Sequence, residues 1–242
     1  MKKLFTFILL IFTASPLFGQ FQMSAKIQNM HLWRGGEVAD GFVLTTDLHY
    51  SFLDDNLRVG FWGGTNAVGE YKEFNYYASY SYGNFSVGFS DTYNFSSYAT
   101  YNNEEFFNYN PRETGRFFDV TFRYRIGVKH PFLLSWSTVV FGRDRGEMNE
   151  GNLYSTFCSV EYEFYNRDGW LVDARIGGAF ALSNRENGAN FYGESSGIVE
   201  LRLRTGYKLK IGNYEVPLSM VMMWNPQSDK AYMQLTAEVF SF

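Results

Sequence analysis

Acid–base chemistry near neutral pH most often starts from histidine, and this 242-residue sequence has three: His31, His49 and His130. His49 stands two residues before Ser51, so on a strand both would share one face. A catalytic histidine–serine pair also needs a carboxylate to orient the imidazole, and the sequence singles out none. His130 stands in a His130-Pro131 turn and His31 near a strand end. Three scattered histidines and one cysteine, Cys158, give no metal-ligand spacing. Glu104-Glu105 and Glu147 with Glu150 stand in polar loops, where acidic side chains are ordinarily just solvated. Gly35-Gly36 and Gly63-Gly64 lack the strand–turn–helix setting of a phosphate-binding loop. The expectation is therefore no catalytic site, no metal and no cofactor.

More numerous charges recur at alternate positions inside otherwise apolar runs. They are Asp47 with His49, then Arg58, then Asp119, Arg123 and Arg125. Further on come Glu161, Glu163, Asp173, Arg175, Glu200, Arg202 and Arg204. An arginine or lysine facing hydrocarbon near the midplane costs about 2–4 kcal/mol, so these rows are expected to line a lumen. Opposite charges on neighbouring strands attract, and Glu161 and Glu163 precede Arg175, Arg202 and Arg204 on the following runs. The rows would then either line a solute path or fill a narrow barrel as a paired network. Arg34, at the end of the first run, is a pore-mouth candidate.

Elements with period-2 alternation must position these rows. Phe42, Leu44, Thr46, Leu48, Tyr50 and Phe52 face away from Asp47 and His49. Phe118, Val120, Phe122, Tyr124 and Ile126 face away from Asp119, Arg123 and Arg125. Cys158 reads as a small apolar residue on an outward face. Punctuation divides the chain into twelve runs: 22–34, 40–53, 57–67, 72–82, 85–96, 115–126, 132–142, 152–164, 170–181, 195–207, 214–224 and 231–241. Runs of ten residues or more suit a tilted strand crossing a bilayer, whereas soluble strands are about 5–6 residues long. Short turns alternate with longer polar loops at 97–114, 143–151 and 182–194, as periplasmic turns and external loops do in outer-membrane barrels. Trp170 near one rim, and Trp33 and Trp224 near the other, fit two interfacial girdles.

The ends of the chain agree with export. Met1-Lys2-Lys3, an apolar run from Leu4 to Phe12 and small residues to Gly19 read as a signal peptide over 1–19, leaving a barrel over 20–242. Its removal lowers Lys+Arg from 21 to 19 against 25 Asp+Glu, a net charge of −6 that gives no support to nucleic-acid binding. One cysteine makes no internal disulfide. The 20% aromatic residues, 23 glycines and 5 prolines fit an all-β exported chain. The terminal Phe240-Ser241-Phe242 resembles the signal read by barrel-assembly machinery. Glu238 shares the parity of both phenylalanines, so either the lipid face switches there or Glu238 sits at the rim.

The N-terminal third resembles the TorF family of outer-membrane porins over roughly 28–95. The carrying segments are Leu32-Trp33-Arg34-Gly35, Phe42 to Phe52, and Val59-Gly60-Phe61-Trp62-Gly63-Gly64-Thr65-Asn66. Tyr76 to Tyr82, Ser86-Val87-Gly88-Phe89 and Tyr93 continue them. The family's function is itself inferred; the resemblance implies a porin-like role and transfers no catalytic residues. The expected protein is thus a transmembrane antiparallel barrel of about 12 strands in the bacterial outer membrane, a narrow channel for passive diffusion of small solutes. Its expected partners are outer-membrane lipid and the assembly machinery reading Phe242. The alternatives are a non-conducting structural or adhesive barrel and, less favoured, a barrel lipid hydrolase using His49 and Ser51.

Overall fold

The computed structural model describes residues 21–127, 131–183 and 188–242; the segment 1–19 and His130 lie outside the described residues. Twelve strands run β1 Phe21–Trp33, β2 Gly36–Phe52, β3 Leu57–Asn66, β4 Lys72–Tyr82, β5 Phe85–Asn94 and β6 Arg116–Ile126. They continue as β7 Phe132–Gly142, β8 Ser155–Arg167, β9 Trp170–Ala181, β10 Gly197–Ile211, β11 Tyr214–Asn225 and β12 Lys230–Ser241. Each pairs antiparallel with its chain neighbour, and β1 pairs with β12, closing the expected barrel. Closure is what lets this sheet stand in hydrocarbon, because every strand has a neighbour on both sides.

The register sets the two faces. Leu48 is opposite Phe61, which is opposite Tyr76; Phe122 is opposite Trp136, and Trp136 is opposite Cys158. These residues form an outward apolar belt, with Phe61 45% and Met233 52% exposed. So broad an apolar surface on a closed barrel is accounted for by lipid rather than water. Trp170 and Trp224 are outward and about half exposed near opposite rims, where an amphipathic ring is favoured.

The first hairpin departs from the sequence expectation. β2 starts at Gly36, not at 40, so the connection from β1 is the two-residue turn Arg34-Gly35. Both have positive φ, 44° and 85°, the geometry of a type I′ hairpin turn. β1 pairs with β12 only over Ser24–Gln28, and β2 pairs with β3 only from Val43 onward. Between those points residues 29–41 leave the wall and fold into the lumen, while the Phe42 carbonyl still accepts from the Ala67 amide at 2.8 Å. Asn29 covers the backbone groups that β12 loses there: its Nδ2 donates to the Met233 carbonyl at 2.9 Å, and its Oδ1 accepts from the Leu235 amide at 2.6 Å. Gln234 Nε2 donates to the Met30 carbonyl at 2.8 Å.

The hairpin tip is docked against the loop ends of β10 and β11. Asn225 Nδ2 donates to the Gly35 carbonyl at 2.9 Å. A Cβ on Gly35 would stand 2.2 Å from the Val199 carbonyl oxygen, so this position requires glycine for space as well as for φ. Trp33 packs on Phe117, Phe191 and Tyr192 with ring centroids 5.4–6.1 Å apart. It is a plug residue, not the girdle residue that its place at a strand end suggests.

Two further features secure the wall. Loop 95–115 is held at the rim by Arg116, whose guanidinium is buried, pairs with Asp91 at 2.8 Å and lies 4.3 Å from the Phe106 ring centre. At the C-terminus, Lys26 pairs with Glu238 and Ala25 with Phe240, skipping Val239. This bulge shifts the alternation by one. Glu238 turns inward to Lys26 at 3.5 Å, while Phe240 and Phe242 are exposed outward. Of the two alternatives for Glu238, the face switch is the one adopted.

Candidate functional site: the lumen and its constriction

The register places Asp47, His49, Arg58, Asp119, Arg123, Arg125, Glu161, Glu163, Asp173, Arg175, Glu200, Arg202 and Arg204 on the face opposite the apolar belt. Six of them on β8–β10 form one network. Arg175 pairs with Glu200 at 2.6 Å, Arg202 with Glu161 at 2.5 Å and Asp173 at 3.0 Å, and Arg204 with Asp173 at 2.6 Å. Three cations and three anions balance, and Glu200 and Asp173 are fully buried. This side of the barrel is therefore filled and locally neutral. Across from it, Arg58, Arg123 and Arg125 have no carboxylate within ion-pair distance among the described residues, so the β3–β6 side of the lumen carries the unbalanced positive charge.

Arg34 does not sit at the mouth. The inward hairpin carries it to β6, where Nη1 donates to Asp119 Oδ2 at 2.6 Å and Nη2 donates to Asp119 Oδ1 at 2.8 Å. Arg34 Nη2 also donates to Thr121 Oγ1 at 3.2 Å, and Nη1 to Tyr192 Oη at 2.6 Å. Thr121 is at mid-strand in β6, so the clasp lies at mid-depth. The two-point geometry fits a guanidinium against a carboxylate, and both side chains are mostly shielded from solvent. Burial pushes the Tyr192 phenol up to about 12, so it stays neutral at ordinary pH.

Two cavities meet at this clasp. One of about 370 Å³ lies toward the loop end and is lined by Trp33, Trp62, Glu73, Asn75, Phe117 and Arg143, among others. The other, of about 290 Å³, lies toward the short-turn end and is lined by Tyr77, Ser79, Gly88, Thr121 and Arg123. Arg34, Ser90 and Asp119 line both. The lumen on the β3–β6 side is thus a vestibule and an inner chamber separated by one ion pair.

The His49–Ser51 pair is placed differently from a nucleophile and its base. Asp47, two residues earlier on the same face, supplies the carboxylate that the sequence did not single out, with Asp47 Oδ1 2.6 Å from His49 Nδ1. The other ring nitrogen, Nε2, is 3.1 Å from Gln22 Oε1. Both nitrogens are occupied, and the Ser51 hydroxyl is buried with no hydrogen-bond partner. Nothing here activates the serine. Among the described residues no group of three potential ligands is arranged to hold a metal.

Some further site residues carry a sequence signal and others carry none. Glu73, Asn75 and Tyr77 alternate within the run 72–82 and face inward with the charged rows. Arg143, Phe191 and Tyr192 belong to loops, whose inward fold has no period to reveal it.

A closed antiparallel barrel with an apolar outer belt and a charged interior is a transmembrane β-barrel of the outer-membrane type. No protein-family model and no curated protein matches the sequence. Among solved structures the chain is similar to the outer membrane protein OpdK of Pseudomonas aeruginosa, with a TM-score of 0.40, 16% identity, and 84% of this chain and 58% of that one covered. It is also similar to an outer membrane channel from Pseudomonas putida F1, with a TM-score of 0.46, 13% identity, and 93% of this chain and 95% of that one covered. The chain spans somewhat over half the length of OpdK.

Proposed function

We propose that this protein is a narrow outer-membrane channel through which small solutes diffuse passively, with the Arg34–Asp119 clasp as its constriction. The observation that carries the reading is the pair of lumenal cavities meeting at one ion pair. A barrel filled only for stability has no need to keep a vestibule and a chamber in line. The unbalanced arginines on the β3–β6 side support a preference for anions in the inner chamber, because a ring of one charge sets which ions partition into a pore. The resemblance to the TorF porins points the same way. The channel is expected to work without covalent chemistry.

A second reading has its own observation. The inward hairpin and the neutral β8–β10 network together fill much of the cross-section, which favours a closed structural barrel. Planar-bilayer recording of the purified protein, its folding first checked by heat-modifiable mobility, separates the two. Discrete conductance steps support the channel; their absence in well-folded protein supports the structural barrel.

A further inference from the structure

The vestibule is unusual in what it leaves unfilled. Arg143 leaves the wall just after β7, and its guanidinium stacks 3.8 Å from the centre of the Tyr101 ring and 4.6 Å from that of Phe191. Among the described residues no carboxylate lies within ion-pair distance of it, and its buried Nε has no acceptor. Burial disfavours its charge, with Tyr101, Glu73 and Asp144 opposing that effect. Glu73, lining the same cavity, is the reverse case. No cation lies within ion-pair distance of its carboxylate among the described residues; it accepts from the neutral amides Asn75 Nδ2 at 2.8 Å and Asn94 Nδ2 at 3.3 Å, lies beside the Tyr71 hydroxyl and faces Arg143 across the cavity. Beside it, Asn75 Oδ1 is buried with no donor.

The other ionisable groups facing this cavity are already engaged. Arg34 and Asp119 hold each other, and His31 Nδ1 is 3.3 Å from Gln28 Oε1 while its ring stacks on Trp62 and Tyr71. A buried charge without a counter-charge costs more than a paired one, and an unmet buried donor or acceptor costs more than a met one. One cavity here keeps a cation with a free donor and an anion beside a free acceptor. The remaining lining is aromatic: Trp33, Trp62, Phe117 and Phe191.

We infer that the vestibule is a binding site for a small zwitterion, an amino acid with an apolar or aromatic side chain, whose carboxylate meets Arg143 and whose ammonium meets Glu73 and Asn75. Its volume of about 370 Å³ is at the small end of ligand sites, which suits a single amino acid. The inference rests on the channel reading for its purpose but not for its test.

The test is calorimetric titration of the intact detergent-purified protein with L-phenylalanine, 3-phenylpropionate and phenethylamine. These share an aromatic ring and differ in carrying both charges, the acid alone or the amine alone. Phenylalanine is expected to bind about tenfold or more tighter than either comparator, the factor set by one charge-assisted contact. Glu73→Gln should bring it down to the level of the acid, and Arg143→Gln to that of the amine. The wild-type comparison needs no variant to fold. Equal binding of phenylalanine and 3-phenylpropionate, or no binding of any of the three, overturns the site. Conductance without zwitterion binding overturns it too and leaves the channel standing. Zwitterion binding without conductance upholds it and overturns the channel.

Discussion

Removing either partner of the Arg34–Asp119 clasp should change ion selectivity in opposite directions. Arg34→Ala leaves Asp119 facing both chambers with only Thr121 Oγ1 donating to it, at 2.8 Å. Asp119→Ala leaves the guanidinium there instead. An ion passing about 4 Å from a unit charge gains or loses about 1 kcal/mol even at the dielectric constant of water. That is about a fivefold change in partition for each ion species, in opposite senses for cation and anion. The permeability ratio of K⁺ to Cl⁻ should therefore rise by up to about 25-fold in Arg34→Ala and fall in Asp119→Ala. Reversal potentials across a tenfold KCl gradient read this directly. The double Arg34→Ala/Asp119→Ala variant should return near the wild-type ratio but conduct more, because the two cavities join. Breaking one partner of a buried pair costs about 3–5 kcal/mol of stability, so heat-modifiable mobility must first show that each variant is folded. Identical reversal potentials in folded wild type and both single variants would refute the reasoning, since no ion would then pass the clasp.

Four other variants test the supports of the barrel and its lumen. Asn225→Ala removes the hydrogen bond to the Gly35 carbonyl, a net loss of about 1 kcal/mol. It should populate a hairpin-displaced, higher-conductance level about fivefold more often in single-channel records. Arg116→Met leaves Asp91 with only the Tyr109 hydroxyl, at 3.2 Å, and removes the guanidinium from the Phe106 and Tyr109 rings; loop 95–115 should then become sensitive to limited proteolysis, with conductance unchanged. Deletion of Val239 regularises the β1–β12 ladder and keeps Phe240 and Phe242 outward, so assembly assayed by heat-modifiable mobility should match wild type. Deletion of Ala237, which removes a paired position and not the bulge, should impair it.

The barrel was legible because lipid on one face and water on the other impose a period of two on every strand. Cys158, Phe122 and Arg204 each declare their face through neighbours two residues away. Strand number and loop order follow from the same alternation plus turn residues such as Asp168-Gly169. The hairpin was not legible, because alternation continues through it. Trp33 reads like a girdle tryptophan whether the strand stays in the wall or bends inward, and only its contacts across the lumen distinguish the two. Arg143 and Tyr192 were hidden for a related reason: a loop that folds into a lumen has no pattern that separates it from one that folds out.

The observed strand lengths reflect the plug. A tilted bilayer-crossing strand needs about 9–11 residues, β3 uses 10 and β5 uses 10, yet β2 has 17. The surplus lies at the loop end, where β2 has lost β3 and β1 has lost β12. Two strands freed together can remain paired with each other, so the hairpin keeps its backbone hydrogen bonds while leaving the wall. What it abandons on β12 is met by the side-chain amide of Asn29, and the Met30 carbonyl that it carries away is met by the side-chain amide of Gln234 on β12. What it costs is a left-handed arginine at the tip, about 1–2 kcal/mol. The arm delivers that guanidinium between the two cavities and against Asp119. The proposed constriction is thus made chiefly from the wall itself, with Tyr192 of the β9–β10 loop bonded to Arg34. Its position is fixed by Asn225 and Val199 on one side and Asp119 on the other, so loosening either contact should change what passes without unfolding the barrel.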